Sequence, residues 1–293
     1  MDASVAENTK ETYRTGLSAF DAFRSEYGLS SVWPPPVSHV TTFIAYLSLN
    51  KKAYRTINCY LSAINFRCNA LQHSDFSQNF LVRKMLEGLK RLNKPKDTRM
   101  PITEDLLLRI VNNLPNICVS LYEANLFSTA FSIAFHGFFR VGEIVLSKRW
   151  QAHQIVGIEH VKFHSRDNTE FIKIVIPYSK TDQYGQGVTI KIDETKNKVC
   201  PVQLLKTFLA QRPSTKGPLF CHFSGKPVTR YQFCAVLNKV LNFMGIDASL
   251  IRSHSFRIGA ASSQFEKGVS EQEIKNLGRW RSNAYKNYIR TLD

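Results

Sequence analysis

Apolar residues in the first ninety positions recur every three or four residues, which is the spacing of an amphipathic helix. Three such stretches carry their apolar sets at Tyr13, Leu17, Phe20 and Phe23, then Val40, Phe43, Ile44 and Leu47, then Ile57, Tyr60, Leu61 and Ile64. Gly28 ends the first stretch, the Pro34-Pro35-Pro36 turn separates it from the second, and FLVRKMLEGLKRLN forms a fourth. The pattern predicts a bundle of four or five helices over residues 1–92.

The periodic pattern stops in KRLNKPKDTRMPI, which contains two prolines and has no apolar period. Residues 83–99 hold seven basic and two acidic residues. This composition predicts a basic linker over residues 93–100 between two domains. Contact with a polyanion and simple solvation remain open alternatives for each of its lysines.

The pattern changes again after Pro101. Thr103 followed by Glu104 and Asp105 predicts the start of a helix, and residues 123–139 are predicted to form another. Three β-branched runs (HVKFHSR, EFIKIVIPYSK and GVTIKID) predict a small antiparallel sheet, because SRDNT and TDQYGQG between them are typical turns. The rest is predicted helical, so residues 101–293 form a mainly α domain with one three-stranded sheet.

Composition narrows the class of partner. The chain of 293 residues has a net charge of +16, and both parts share it, with +6 over residues 1–100 and +10 over the remainder. A basic folded body favours a polyanionic partner, most often a nucleic acid, although a merely soluble basic protein is the alternative. Six cysteines show no metal-binding spacing and are expected to be reduced inside a cell. We expect no signal peptide, and LFSTAFSIAFHGFF is too short to span a membrane.

Three segments carry candidate chemistry. Arg140 closes a predicted apolar helix and is followed three positions later by Glu143, a carboxylate that can orient its guanidinium toward phosphate oxygens. Lys180 lies at a Gly-rich hairpin turn, and His254 and Arg257 share one predicted helical face, where they would form an anion site with a titratable group. Each has an ordinary alternative, namely a surface ion pair, a solvated lysine, and a capping histidine beside an exposed arginine.

Taken in order, these residues and two aromatic ones resemble the pattern of the tyrosine recombinase (phage integrase) family. The ordered set is Arg140, Lys180, His254-x-x-Arg257, Trp280 and Tyr288. The segments HSFRIGAA, LGRW, YKNYIR and SKTDQYGQG are most similar to the recombinases of eukaryotic Crypton and DIRS/Ngaro mobile elements. The resemblance extends over most of the chain, because residues 1–92 also look like the helical core-binding (SAM-like) DNA-binding domain of the family.

The resemblance implies a C-shaped clamp in which residues 101–293 form the catalytic domain. It implies a site-specific recombinase that needs no metal or cofactor and forms a 3′-phosphotyrosyl intermediate. Tyr288 would be the nucleophile, and Arg140 and Arg257 would stabilise the negative charge of the transition state. His254 would accept the tyrosine proton and Lys180 would protonate the leaving 5′-oxygen. Trp280 would donate to the phosphate, and Glu143 would orient the site.

The neighbouring Tyr285 is expected to be a packing ring, because it lies only five residues after Trp280 whereas Tyr288 lies eight after it. Predicted contacts with DNA come from basic residues of the linker region and of the C-terminal segment, namely Lys90, Arg91, Lys94, Lys96, Arg99, Arg279, Arg281 and Lys286.

The resemblance also implies double-stranded DNA as the partner, a homodimer on each site, a tetramer across two sites, no membrane association and a nuclear location. The chain stops five residues after Tyr288, where many members of the family continue into a helix that docks on a neighbouring subunit. We therefore expect either a truncated chain or assembly through another surface. A domesticated DNA-binding protein without catalysis and a type IB topoisomerase are the alternatives.

Overall fold

The structure is a computed structural model that describes residues 5–72, 75–92, 97–147, 151–179, 182 and 185–290. It divides into two compact units, Met1–Asp97 and Thr98–Asp293.

The first unit is helical, as its apolar pattern predicts. Its helices are α1 (Glu7–Glu26), α2 (Val37–Leu49), α3 (Tyr54–Ala70) and α4 (Phe80–Leu92), with a 3₁₀ turn at Phe76–Gln78. The apolar positions of α1, α2 and α3 meet in one core, in which Phe20, Phe43 and Ile57 are fully buried. Tyr60, which the pattern placed on the same face, is only half-buried. Burial of these stripes is the main source of stability for helices of this length.

The second unit consists of seven helices and one sheet in the part of the chain that the structure describes. The helices are α5 (Glu104–Ile117), α6 (Leu121–His136), α7 (Val141–Ile144), α8 (Pro201–Gln211), α9 (Arg230–Phe243), α10 (Ser255–Glu266) and α11 (Glu271–Leu277). Three 3₁₀ segments lie at Ala152–Gln154, Ile158–His160 and Asn283–Tyr288. Thr103 accepts a hydrogen bond from the Leu106 N–H group at 3.1 Å, so the predicted helix start is confirmed.

The predicted antiparallel sheet is also present, with strands β1 (Val161–Arg166), β2 (Thr169–Ile176) and β3 (Val188–Asp193) in the order β1-β2-β3. Ile172 of the central strand pairs with Phe163 on one side and Ile192 on the other. Ile172, Ile174 and Ile176 are buried at every second position of β2, which anchors one face of the sheet in the core.

Helix α6 supports the site from below, because nearly all of its side chains from Ala124 to Phe135 are buried. It ends at His136 rather than near residue 139, and a turn at Gly137 and Phe138 follows it. The prediction that Arg140 closes this helix is therefore wrong: Arg140 lies beyond the turn and immediately precedes the short helix α7. None of the described helices combines the length and apolar content needed to cross a bilayer. All six cysteines are free thiols.

Helix α10 is packed against the backbone that precedes α5. Its residues from Ser255 to Ser263 are buried, and the Ile102 N–H group donates a hydrogen bond to the Ser255 carbonyl at 3.0 Å. A Cβ atom added to Gly259 would lie 1.7 Å from the Ile102 carbonyl oxygen. Only glycine permits this approach, which sets the depth of α10 and hence the position of the side chains that its first turn carries.

We predict that Gly259→Ala destabilises the second unit by roughly 3 kcal/mol or more, because backbone rather than a flexible side chain must move. Differential scanning calorimetry of the full chain measures this as a lowered melting transition. Gly88→Ala is the matched control, since no heavy atom lies within 4 Å of a Cβ atom there and alanine favours helix by up to about 1 kcal/mol. Equal melting behaviour of the two variants would contradict the packing argument.

Candidate active site

Arg257 is the most deeply buried of the predicted site residues, with 1% of its surface exposed. It lies in the first turn of α10 and donates hydrogen bonds from Nη1 to the Phe138 carbonyl and from Nη2 to the Gly278 carbonyl, the latter at 2.8 Å. Its guanidinium carbon lies 4.7 Å from the centre of a Trp280 ring. A buried cation requires such partners, so the alternative of an exposed arginine is excluded.

Arg140 and Glu143 form an ion pair that is largely internal. Glu143 accepts from the Arg140 backbone N–H group through Oε2 and from Nη1 through Oε1, both at 2.9 Å. The side chain of Glu143 is 2% exposed, whereas that of Arg140 is 23% exposed. The carboxylate is thus fixed inside the protein, while one side of the Arg140 guanidinium reaches the surface. The alternative of an ordinary surface ion pair does not describe this geometry.

A third guanidinium, that of Arg279, completes the same network. Its Nη2 group donates to Glu143 Oε2 at 2.9 Å and to the Phe138 carbonyl at 3.0 Å. The side chain is only 13% exposed, so this position does not suit the surface contact with DNA that the sequence suggested. Three guanidinium groups therefore share a single buried carboxylate, and the cluster carries an excess of positive charge.

His254 immediately precedes α10 rather than lying within it, so the predicted shared helical face with Arg257 is replaced by adjacent positions at a helix start. Burial lowers the pKa of His254 to about 4, with further lowering from Arg99, Arg257, Arg230 and Arg140 in that order. Its Nδ1 atom is buried without a hydrogen-bond partner among the described residues. The ring is therefore neutral at physiological pH and able to accept a proton.

The two C-terminal tyrosines occupy different environments on one 3₁₀ segment, Asn283–Tyr288. Tyr285 is 4% exposed, belongs to the core and donates its hydroxyl to Glu271 at 2.6 Å. Tyr288 is half-buried, and its ring centre lies 5.0 Å from that of Trp280 and 5.6 Å from the Arg257 guanidinium carbon. The His254 ring centre is 6.4 Å away. Tyr288, and not Tyr285, faces the cationic cluster.

The structure thus brings together Arg140, Glu143, His254, Arg257, Trp280 and Tyr288. Trp280 is 8% exposed and lies edge-on to Phe138, with ring centres 6.2 Å apart. Lys180 lies outside the described residues, in the connection between β2 and β3.

The residues predicted to contact DNA are more dispersed. Lys90 and Arg91 are exposed in the last turn of α4, and Arg281 and Lys286 are exposed near the C-terminus. Arg99 is half-buried and belongs to the group of cations that lower the pKa of His254. Lys94 and Lys96 lie outside the described residues.

Several functional groups were missed by sequence reasoning. The Phe138 carbonyl accepts from both Arg257 and Arg279, and Phe138 has the left-handed φ of 50° that turns this carbonyl inward. Gly137 just before it was the available signal of a turn. Arg230, exposed at the start of α9, contributes to the field at His254 and gave no signal beyond its charge. Among the described residues, no group of His, Cys, Asp or Glu is arranged to hold a metal ion.

Comparisons with known proteins agree with this geometry. Residues 1–66 match the family described as phage integrase, N-terminal SAM-like domain. Over 96% of its length the chain is 23% identical to an integrase/recombinase XerD homolog of Selenomonas ruminantium, of which it covers 81%.

Solved structures extend the likeness to nearly the whole chain. The Tn1549 transposon integrase, in complex with circular intermediate DNA, is 13% identical with a TM-score of 0.65, over 99% of this chain and 92% of that one. The XerH site-specific recombinase, bound to a palindromic difH substrate in a post-cleavage complex, is 18% identical with a TM-score of 0.66, over 96% and 76%. A lambda integrase dimer bound to a COC′ core site gives 14%, 0.62, 98% and 73%.

These relatives are site-specific recombinases and integrases, and the chain has their fold. The sequence and structural likenesses together support the phage integrase, or tyrosine recombinase, family for this protein.

We predict that the imidazole of His254 titrates near pH 4, well below an ordinary histidine. Because the folded pKa lies below the unfolded one, unfolding takes up a proton, and stability falls as pH decreases from about 6.5 toward 4. The loss is at most ~1.4 kcal/mol per pH unit, and less here because solvent reaches part of the ring. An NMR titration measures it, with His254→Gln identifying the resonance. A midpoint near 6.5 would contradict the burial argument.

Proposed function

We propose that this protein is a site-specific DNA recombinase that cuts and rejoins strands through a covalent bond between Tyr288 and a 3′-phosphate. The observation that carries the proposal is the position of one half-buried phenol beside a cluster with more guanidinium groups than carboxylates. An excess of fixed, partly desolvated positive charge binds an anion, and a phenol at its edge can attack that anion.

The chemistry follows from the residues in order. The Tyr288 oxygen would attack phosphorus, and the bond from phosphorus to the 5′-oxygen would break, so that the phosphate is transferred to the enzyme without loss of its bond energy. Arg140 and Arg257 would stabilise the charge that develops on the non-bridging oxygens, because phosphoryl transfer depends mainly on positioning and charge. Neutral His254 would accept the tyrosine proton. Return of a 5′-hydroxyl of a partner strand would reverse the step.

Other groups complete the proposed site. Lys180 would protonate the departing 5′-oxygen, and Trp280 would direct its indole N–H group at the phosphate. Glu143 would orient Arg140, with which it forms two hydrogen bonds at 2.9 Å. We propose that no metal ion takes part, because arginine and lysine supply the charge that a metal would otherwise bring.

Double-stranded DNA is the proposed substrate. Support comes from the net charge of +16 and from similar proteins whose structures contain DNA. Residues 1–92 would be the core-binding domain and residues 101–293 the catalytic domain, joined by the linker of residues 93–100. By analogy with the lambda integrase dimer on its core site, two copies would occupy one site. We also propose a tetramer across two sites, an origin in a Crypton-like mobile element and a nuclear location.

We predict that Tyr288→Phe abolishes the covalent adduct, lowering its yield by at least ~10³-fold, because the attacking oxygen is removed. The measurement is adduct formation on nicked suicide duplexes drawn from DNA that flanks the gene. Tyr285→Phe is the matched control: it loses one hydrogen bond to Glu271, at a cost of about 1 kcal/mol in stability, and should keep wild-type adduct yield.

The same assay separates the alternatives. A wild-type protein that binds these duplexes without forming an adduct would be a domesticated DNA-binding protein. Relaxation of supercoiled DNA without dependence on sequence would favour a topoisomerase.

We predict that the double substitution Lys90→Ala and Arg91→Ala weakens DNA binding and makes its dependence on salt less steep by roughly two in log-log slope, about 0.9 per lost phosphate contact. Both residues are exposed at the end of α4. Fluorescence anisotropy at several salt concentrations gives the slope. The control is the pair Lys196→Ala and Lys216→Ala, exposed lysines of the second unit. An identical slope in both double variants would remove α4 from the interface.

A further inference from the structure

We infer that Arg279 is a positioning residue that holds the two guanidinium groups of Arg140 and Arg257 in their working geometry. The inference rests on the proposed function, which gives those two residues the phosphate. It replaces the surface contact with DNA that the charge of Arg279 suggests.

Hydrogen bonds connect Arg279 to both arginines through one intermediary each. Its Nη2 group donates to Glu143 Oε2 at 2.9 Å, and Oε1 of that carboxylate accepts from Arg140 at 2.9 Å. The same Nη2 group donates to the Phe138 carbonyl at 3.0 Å, which also accepts from Arg257. One side chain therefore links the partner of Arg140 to the partner of Arg257.

Burial shows that Arg279 acts inside the protein. Its side chain is 13% exposed, and burial lowers its pKa while Glu143 raises it. The guanidinium carbon lies 5.5 Å from the Phe139 ring centre. A guanidinium in such surroundings is retained because it is paired with a buried carboxylate, and little of it is left for a DNA backbone.

Arg279 also limits what Glu143 can do. A carboxylate beside an arginine tends to accept two parallel hydrogen bonds from the guanidinium fork. Here the Arg140 side chain reaches one carboxylate oxygen through Nη1 alone, because Oε2 is taken by Arg279 and by the Arg140 backbone N–H group. The remaining donors of Arg140 stay available to an anion. Without Arg279, Glu143 would turn toward Arg140 and withdraw those donors from the phosphate.

The backbone at Arg279 makes the idea testable. Its φ of 57° lies in the left-handed region that favours glycine, so Arg279→Gly removes the guanidinium and leaves a residue suited to the conformation. Any loss of activity then reports the side chain and not backbone strain. Asn168→Gly is the matched control, because Asn168 has a φ of 59° and is exposed in the turn between β1 and β2.

The first experiment is single-turnover cleavage of a suicide duplex at saturating DNA, together with DNA affinity by anisotropy. We expect Arg279→Gly to lower the cleavage rate by at least ~30-fold while affinity changes less than ~3-fold, because positioning affects the transition state more than binding. Arg279→Lys should recover only part of the rate, since an ammonium group cannot reproduce the planar fork. Should the glycine variant fail to fold, the lysine variant carries the test. Cleavage equal to that of Asn168→Gly would overturn the inference.

A double-mutant cycle with Glu143→Gln tests the route of action. If Arg279 acts through Glu143, the double variant cleaves no more slowly than Glu143→Gln alone, within ~3-fold. Rate losses that multiply would mean that Arg279 contacts the phosphate itself, and a parallel loss of DNA affinity would mean a surface contact. Either result contradicts positioning.

A measurement without DNA keeps the inference separate from the proposed function. In the free protein, the Arg140 Nε–H resonance should shift in Arg279→Gly and remain at its wild-type position in Asn168→Gly, because Glu143 then pairs differently with Arg140. An unchanged resonance in Arg279→Gly refutes the positioning role even if the wild-type protein forms no adduct. A shifted resonance with an inactive wild type refutes the proposed function instead.

Discussion

The candidate site depends on one buried carboxylate, that of Glu143, which is 2% exposed and shared by Arg140 and Arg279. A buried negative charge is tolerated only with close positive partners, and here two arginines satisfy it while a third, Arg257, is bound to carbonyl groups. The cluster is therefore under-neutralised by design of its hydrogen bonds. That deficit of negative charge gives the surface beside Tyr288 its affinity for an anion and determines which chemistry the site can perform.

Backbone geometry, more than side-chain type, fixes this arrangement. The turn at Phe138, with its left-handed φ of 50°, points a carbonyl at two arginines. Gly259 lets α10 approach the Ile102 carbonyl closely enough to bury Arg257. Arg279 adopts the left-handed conformation at the other side of the cluster. Two separated segments and one helix start thus converge because their backbones permit close approach, and the cationic side chains then fill the space that results.

Local pattern was sufficient for the elements, since apolar spacing predicted α1 to α3 and alternation predicted the sheet around Ile172. The ordered pattern of polar residues also named six side chains that lie together, from Arg140 to Tyr288. What it could not supply was tertiary burial. Arg279 is followed by Trp280 and Arg281 and reads as one more surface cation, because nothing local indicates that Glu143, more than a hundred positions earlier, faces it. The end of α6 was misjudged for a similar reason: Phe138 and Phe139 continue the apolar run past the turn.

The identity of the covalently modified residue is the most direct test of the account. A suicide duplex, treated with the protein and then with nuclease, leaves a nucleotide on the attacking side chain. Trypsin separates the two candidate phenols, because cleavage at Arg281, Lys286 and Arg290 places Tyr285 in SNAYK and Tyr288 in NYIR. Mass spectrometry should find the nucleotide on NYIR alone. A modified SNAYK peptide, or an adduct on any other segment, would contradict the account.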